Sequence, residues 1–410
     1  MAVTSAKVAA TRGGEVERLG RLIEQVLARH DEREDPSLTW GAMYDAGLAW
    51  VDFPEGRGGL GLSPDLQELI DRRFVEAGVP SNIARNMMGV GMAAPTLIAF
   101  GTDEQQQQHL RRIFTCEDIW CQMFSEPGAG SDIASLSTRA VRDGDEWVVN
   151  GQKVWTTIAH VADKGLLLAR SDPDVPKHQG LTYFWIDMHS PGVEVRPLRQ
   201  LTGEAEFNEV YLTDVRVPDS GRIGEVGQGW AVAIATLMNE RTMLGRLADP
   251  SRSGNLIDHV LDLWVDKDDK DPLLRDRVVQ VWIEDEIIRL LMMRAESLRK
   301  QGTPGPESSL GKVAVSPHHQ RLFGLCMDLL GPEAMLISDY EMRRPATVSP
   351  AILGEADTSD TQKAFLTAVG ATIGGGTTEI AKNVIGERVL GLPKEPSVDR
   401  DLPWSQVPRN

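Results

Sequence analysis

The chain has 410 residues, of which 41% are hydrophobic, and a formal charge of -17 at neutral pH. A chain of this length exceeds one typical hydrophobic core, so two or three domains are expected. The acidic balance argues against nucleic acid and against anionic membrane surfaces as partners, because neither attracts a negative protein surface. Three irregularly spaced cysteines indicate a reducing compartment, and eight histidines without ligand spacing predict no metal site.

Residues 1–14 contain Lys7 and Arg12 but no apolar core of signal-peptide length, and no later run approaches a membrane span. We therefore expect a cytoplasmic protein that does not enter a membrane, with the mitochondrial matrix as the alternative location.

Three segments differ in the period of their apolar residues. Residues 1–117 have helical spacing, as at Leu66, Leu69, Ile70 and Phe74, and predict an N-terminal α-helical domain. Residues 118–224 contain short β-prone runs separated by proline and glycine turns, which predict a central antiparallel β-barrel domain. Residues 225–410 return to the helical period and predict a C-terminal α-helical bundle, interrupted by an acidic linker at residues 265–272.

Within the β segment, residues 140–151 read as a strand, an Asp-Gly turn at Asp143, a second strand and an Asn-Gly turn at Asn150. This pattern places Trp155 at the start of a further strand. A glycine-rich loop, Phe-Ser-Glu-Pro-Gly-Ala-Gly-Ser-Asp at residues 124–132, comes shortly before the first of these strands. Its glycines allow close approach of a ligand to the backbone, its serines supply hydroxyl groups, and Trp155 offers a flat apolar face.

Taken singly, such a loop is more often a turn and such a tryptophan more often part of a strand, but the combination resembles the acyl-CoA dehydrogenase family. The resemblance covers nearly the whole chain and includes Pro-Glu-Gly-Arg-Gly-Gly at residues 54–59, Gly-Thr-Asp-Glu-Gln at residues 101–105 and Glu-Phe-Asn-Glu-Val at residues 206–210. It implies the family fold of helical, β-barrel and helical domains. It also implies FAD as cofactor, an acyl-CoA substrate that undergoes α,β-desaturation, and an electron-transfer flavoprotein as electron acceptor.

The same resemblance implies which residues contact the flavin. It implies that Trp155 and Thr157 cover the isoalloxazine face and that Thr377 and Glu379 lie near the pyrophosphate and ribityl groups. It further implies that Ser131, besides contacting the flavin, touches the pantetheine arm of the substrate. The complete set of implied cofactor contacts is Phe124, Ser125, Gly130, Ser131, Trp155, Thr157, Thr377 and Glu379.

Desaturation of a thioester requires a carboxylate base in a dry pocket and hydrogen-bond donors for the thioester oxygen. Many family members carry the base in a loop before a C-terminal helix, and here that position is Gly375, which retains only a backbone amide. A second family pattern, resembling the isovaleryl-CoA, long-chain and bacterial FadE-type enzymes, has the base immediately before an arginine on the first long helix after the β domain. Glu240 precedes Arg241 there, so Glu240 is the predicted base, against the alternative of a solvated helix glutamate.

The residues implied to contact substrate are Ser131, Met238, Asn239, Arg241 and Gly376. The chain is expected to form a homo-oligomer, a dimer or tetramer. The family's Arg-x-x-Phe-Gly element, which reaches the flavin of a neighbouring subunit, has no match between Arg246 and Val278. This leaves three alternatives open: one chain of a hetero-oligomer with divided sites, a non-catalytic scaffold subunit, and a flavin monooxygenase or oxidase on the same fold.

Overall fold

The structure is a computed structural model and describes residues 2–31, 33–247, 256–300, 307–348, 360–396 and 399–408. Six helices form the N-terminal domain. They are α1 (Ala2–Leu27), α2 (Pro36–Asp45), α3 (Gln67–Glu76), α4 (Ile83–Met88), α5 (Ala94–Phe100) and α6 (Asp103–Phe114). A π-helical segment, Gly89–Ala93, joins α4 to α5. The stretch Ile83–Phe100 is long and apolar enough to span a membrane, but 56% of its residues are buried in the protein interior, as is usual for a core helix.

Two amides fasten the N-terminal domain to the β domain. Asn86 leaves the helical conformation inside α4, and its side-chain Nδ2 donates to the carbonyls of Ile113 and Asp118 at 2.8 and 2.9 Å. Gln105 belongs to the capping box that begins α6, and its side-chain Nε2 also donates to the carbonyls of Ser220 and Arg222. Because these amide groups are buried and paired, they fix the contact between the two domains.

The β domain is one eight-stranded sheet. Its strands are β1 (Trp120–Met123), β2 (Arg139–Asp143), β3 (Glu146–Thr157), β4 (Lys164–Arg170), β5 (Leu181–Asp187), β6 (Val193–Pro197), β7 (Phe207–Pro218) and β8 (Arg222–Ile223). The strand order in the sheet is β6-β7-β3-β2-β4-β5-β8, and β1 pairs with β4 outside this path. The pairing is mainly antiparallel, as expected, but β1 runs parallel to β4 and β2 meets β4 in a parallel bridge. Long connections separate β1 and β2 from β4, and parallel pairing needs such connections.

The predicted Asp-Gly turn is confirmed, because β2 and β3 form an antiparallel hairpin that turns between Asp143 and Glu146. The predicted Asn-Gly turn is wrong. Residues Asn150 and Gly151 lie inside the continuous strand β3, at a register shift against β7. Asn150 donates to Asp214 at 3.0 Å, and a Cβ on Gly151 would stand 2.2 Å from Thr138 Oγ1, so this pair forms a close-packed bulge.

The C-terminal part contains α7 (Gly229–Leu247), α8 (Leu256–Asp266), α9 (Pro272–Lys300), α10 (Glu307–Leu330), α11 (Thr361–Gly370) and α12 (Thr378–Arg388). The predicted acidic linker separates α8 from α9. These helices contribute to two separate apolar cores. Val232, Ala233 and Met243 of α7 belong to the core of the first two domains, whereas Val260, Val278 and Leu322 belong to a separate core formed by later helices. Helix α7 is therefore bound to the β domain more closely than its place in the chain suggests.

Candidate active site

Trp155 stands out of the sheet near the end of β3. Its backbone has φ +60°, a left-handed conformation that bulky residues rarely adopt, and the pairing of β3 with β7 shifts register between Lys153 and Thr156. The indole is 61% exposed, and the one aromatic ring that it contacts among the described residues is Phe207, at its edge. A strained backbone that presents a large apolar face to the outside is typical of a ligand site. Thr157, the last residue of β3, is buried.

The glycine-rich loop lies beside this strand. The N–H of Val154 donates to the carbonyl of Ser125 at 2.9 Å, so the loop and the segment before Trp155 are joined by the backbone. Phe124 is buried against the edge of Tyr183, with ring centroids 5.7 Å apart, while Gly130 and Ser131 are exposed. The structure thus brings together the loop and the tryptophan that the sequence predicts to hold one ligand.

A buried ion pair, which the sequence analysis missed, holds the loop in place. Lys153 is fully buried, and its Nζ donates to Glu126 Oε1 at 2.9 Å and to the carbonyls of Phe124 and Leu168. Glu126 also accepts hydrogen bonds from the backbone N–H groups of Ser137 and Thr138. Burial alone raises the pKa of Glu126, but Lys153 and these hydrogen bonds outweigh it and lower that pKa.

Helix α7 carries the predicted base, Glu240. One turn before Glu240, Thr236 joins this helix to two neighbouring elements. The fully buried Thr236 hydroxyl lies 2.9 Å from Thr96 Oγ1 of α5 and 3.1 Å from the Tyr183 hydroxyl of β5. Tyr183 in turn contacts Phe124, so a short chain of contacts connects the glycine-rich loop to the helix of Glu240. The hydroxyl of Thr236 also bonds its own helix, at the carbonyl of Val232.

Glu240 is half-buried on α7, and burial raises the pKa of its carboxyl group above the usual range. Two cations oppose this effect: Arg241, the next residue, and Lys312, which comes from α10. A carboxylate with a raised pKa is a stronger base than one in water, as proton abstraction from a weak carbon acid requires. Of the predicted substrate contacts beside it, Met238 and Arg241 are exposed and Asn239 is half-buried.

The triple-glycine loop precedes α12. Gly375 and Gly376 have φ +65° and +92°, which explains glycine at both positions, and residues 373–376 are exposed. Thr377 caps α12 by accepting a hydrogen bond from the N–H of Ile380 at 3.1 Å. The carboxylate of Glu379 accepts from the Thr378 hydroxyl and lies 3.9 Å from Lys382 Nζ, so its charge has local partners.

These residues fit a flavin nucleotide. No protein atom lies within 4 Å of the position that a Cβ would take on Gly128 or Gly130, so a planar group can lie against the loop backbone. The exposed indole of Trp155 supplies an apolar face for a ring system. The N-terminus of α12 follows the open glycine loop and carries the positive end of the helix dipole, which favours a phosphate. Among the described residues no cluster of histidine, cysteine and acidic side chains gathers to hold a metal ion.

Comparisons with known proteins agree with this architecture. The acyl-CoA dehydrogenase N-terminal, middle and C-terminal domains match residues 18–117, 121–215 and 227–390. Acyl-CoA dehydrogenase IpdE1 of Mycobacterium tuberculosis is 38% identical, over 85% of this chain and 86% of that protein.

Among solved structures, the ChsE4-ChsE5 complex from Mycobacterium tuberculosis is similar with a TM-score of 0.68 and 28% identity, over 93% of this chain and 98% of the matched chain. The Tcur3481-Tcur3483 steroid ACAD is similar with a TM-score of 0.70 and 25% identity, over 94% of this chain and 98% of the matched chain. With three domain models matched in order along the chain, this protein belongs to the acyl-CoA dehydrogenase family, whose members are FAD-dependent oxidoreductases.

Proposed function

We propose that the protein binds FAD and catalyses α,β-desaturation of an acyl-CoA thioester, with Glu240 as the base. The observation that carries this proposal is the half-buried carboxylate of Glu240, whose pKa burial raises, on a helix tied through Thr236 and Tyr183 to the glycine-rich loop. A solvated surface glutamate would not have its pKa raised by burial, and a scaffold subunit would not need a basic carboxylate.

The proposed chemistry divides between the chain and its cofactor. Glu240 removes the α-proton of the thioester, and the Gly375 N–H donates to the thioester oxygen, on which negative charge builds in the transition state. Ser131, Met238, Asn239, Arg241 and Gly376 hold the acyl-CoA arm. FAD held by the glycine-rich loop, Trp155 and Thr377 would supply the hydride acceptor for the β-carbon, and an electron-transfer flavoprotein would take up the electrons. Burial of Glu240 raises the pKa of its carboxyl group and so keeps the carboxylate basic.

The substrate class that we propose is a bulky acyl thioester. In the family pattern that this chain resembles, the helix-borne base accompanies branched, long and steroid-like acyl groups. The steroid ACAD among the similar structures supports this choice. The family's Arg-x-x-Phe-Gly element has no match in the sequence, and one of the solved relatives is a complex of two proteins. These two observations support a second candidate arrangement, in which a partner chain completes the flavin site.

The test is the visible spectrum of the protein purified alone, followed by anaerobic titration with short, branched, long and steroid side-chain acyl-CoA thioesters. A flavin band that one class bleaches supports the proposed dehydrogenase and identifies its substrate class. Colourless protein that turns yellow with the product of a neighbouring gene supports divided sites, whereas permanently colourless protein supports a scaffold. Coloured protein that no thioester bleaches, and whose reduced flavin reoxidises rapidly in air, supports an oxidase or monooxygenase.

A further inference from the structure

Lys312 of α10 binds the backbone of the triple-glycine loop. Its Nζ donates to the carbonyl of Gly374 at 2.6 Å and also to the carbonyl of Ala371. Ser316, one turn further along α10, donates to the same Ala371 carbonyl at 2.9 Å. One helix therefore holds the segment before Gly375 through a cation and a hydroxyl group, and the ammonium group is the one nearer to Gly375.

The bond to Gly374 has a direct consequence for Gly375. The Gly374 carbonyl and the Gly375 N–H belong to one peptide unit, which is planar and trans, so these two groups point in opposite directions. A cation that fixes the carbonyl also fixes the direction of the N–H. It further polarises the peptide and makes the N–H a stronger donor. Within the described part of the chain, the Gly375 N–H has no acceptor, so it is free to meet a ligand.

We infer that Lys312 is a positioning residue, which aims the Gly375 N–H at the thioester oxygen of the bound substrate. This inference rests on the proposed function, because it assumes that a thioester lies between Gly375 and Glu240. Lys312 also lies within electrostatic range of Glu240: the carboxylate of Glu240 favours the charged form of Lys312, although burial lowers the pKa of that lysine. One ammonium group thus connects the oxyanion donor with the base.

The test compares Lys312→Met with Lys267→Met in the flavin-loaded protein. Lys267 donates to the carbonyl of Leu329 at 3.2 Å, at the far end of α10, so the control removes an equivalent ammonium-to-carbonyl bond away from Glu240. Direct removal of an oxyanion donor costs about 100-fold or more in kcat, and for a misaimed N–H we expect a loss of about 10-fold to 100-fold. We expect KM and melting temperature to change little, because the interaction acts mainly in the transition state.

Exchange of the substrate α-protons with deuterium from solvent provides a readout besides turnover, and it should slow in parallel with kcat. Lys312→Arg keeps the charge and the donors, so it should recover part of both rates. Unchanged kcat and exchange in Lys312→Met would overturn the inference, as would a loss confined to KM or melting temperature. Should Lys312→Met fail to fold, Lys312→Gln, which keeps a neutral donor, decides by the same criteria. A wild-type protein that desaturates no thioester overturns the proposed function together with this inference.

Discussion

The Lys153 side chain holds the glycine-rich loop of the proposed flavin site in position. Its ammonium group is completely removed from solvent and meets one carboxylate and two carbonyls. Glu126 is the only one of these three partners with a charge, and it also accepts hydrogen bonds from the backbone N–H groups of Ser137 and Thr138, directly before β2. The pair is therefore a fully hydrogen-bonded unit that ties the loop to β3, next to Trp155.

Lys153→Met should lower the free energy of unfolding by about 3–5 kcal/mol, because it leaves the Glu126 carboxylate buried without its counterion. Chemical denaturation of the flavin-free protein measures this change. Arg216→Met is the matched control, since Arg216 forms an exposed ion pair with Asp143 and Glu146 on the same sheet, worth about 1 kcal/mol or less. Equal effects of the two substitutions would show that the buried pair does not support the loop.

The same pair predicts how stability depends on pH. Because the folded-state pKa of Glu126 is lowered, its contribution is present above the unfolded-state value and is lost as pH falls through the folded-state pKa. The wild-type protein should lose this contribution in acid. In Lys153→Met the remaining carboxyl loses its cation, so its folded-state pKa should rise and the acid loss should shrink or reverse, because protonation then removes an unpaired buried charge. Denaturation midpoints measured from neutral to acidic pH for both proteins test this, and parallel curves would contradict it.

At the scale of single elements, helix α7 is positioned by contacts from two other domains. Thr236 joins it to α5 through Thr96 and to β5 through Tyr183. A Cβ on Gly91, in the π-helical segment, would lie 1.9 Å from Met243 Sδ, so α7 packs closely there as well. Glu240 lies between these two contacts along the helix. Its position relative to the glycine-rich loop therefore depends on the whole interface and not on α7 alone.

Thr236→Val should cost about 1–3 kcal/mol of stability, because it leaves the buried hydroxyls of Thr96 and Tyr183 without a shared partner. Since the contact lies one turn from Glu240, kcat should also fall severalfold. Thr242→Val is the control on the same helix, where an exposed hydroxyl bonds only the carbonyl of Met238. Thermal melts and steady-state kinetics measure both effects. A Thr236→Val protein that behaves like the control would show that this contact does not position the base.

Local signals predicted the elements well and the tertiary contacts poorly. The Asp-Gly turn after β2 was predictable because its chemistry is local. Asn150 and Gly151 were misleading because Asp214 of β7 and Thr138, just before β2, determine their conformation. The sequence suggested Glu240 and Trp155 through the family resemblance. It did not reveal Lys153 or Lys312, because the partners that bury these lysines lie far along the chain. A lysine directly before the apolar Val154 and Trp155 of β3 was the one available signal.

At the scale of the whole molecule, helix α9 has two apolar faces. One face, with Val278 and Val281, packs into the core of the later helices. The other is exposed along the helix, with side chains 40–59% accessible at helical spacing: Val279, Trp282, Ile283, Ile287, Leu290 and Met293. An apolar stripe of this length on a protein surface is typical of a subunit interface. We expect a second copy of this chain, or a related partner chain, to cover it.

Ile287→Glu should break this association, because a carboxylate placed in an apolar interface loses its hydration without gaining a partner. Sedimentation velocity should show the wild-type protein as a dimer or larger species and the variant as a smaller one. Val141→Glu, which changes an equally exposed apolar residue on β2, should leave the assembly intact. A wild-type protein that assembles only with a partner chain would favour divided sites, and an Ile287→Glu protein of unchanged size would contradict the interface.

The most direct test of the central claim is the rate at which substrate bleaches the flavin after anaerobic rapid mixing, for wild type and Glu240→Gln. We predict that Glu240→Gln binds the thioester normally but bleaches about 100-fold to 10,000-fold more slowly, because the base is lost. The wild-type rate should fall as pH is lowered through the raised pKa of Glu240, because protonation removes the base. Glu194→Gln, at an exposed carboxylate on β6 that is paired with Arg196, should bleach at nearly the wild-type rate. Near-normal bleaching by Glu240→Gln at unchanged affinity would contradict the account.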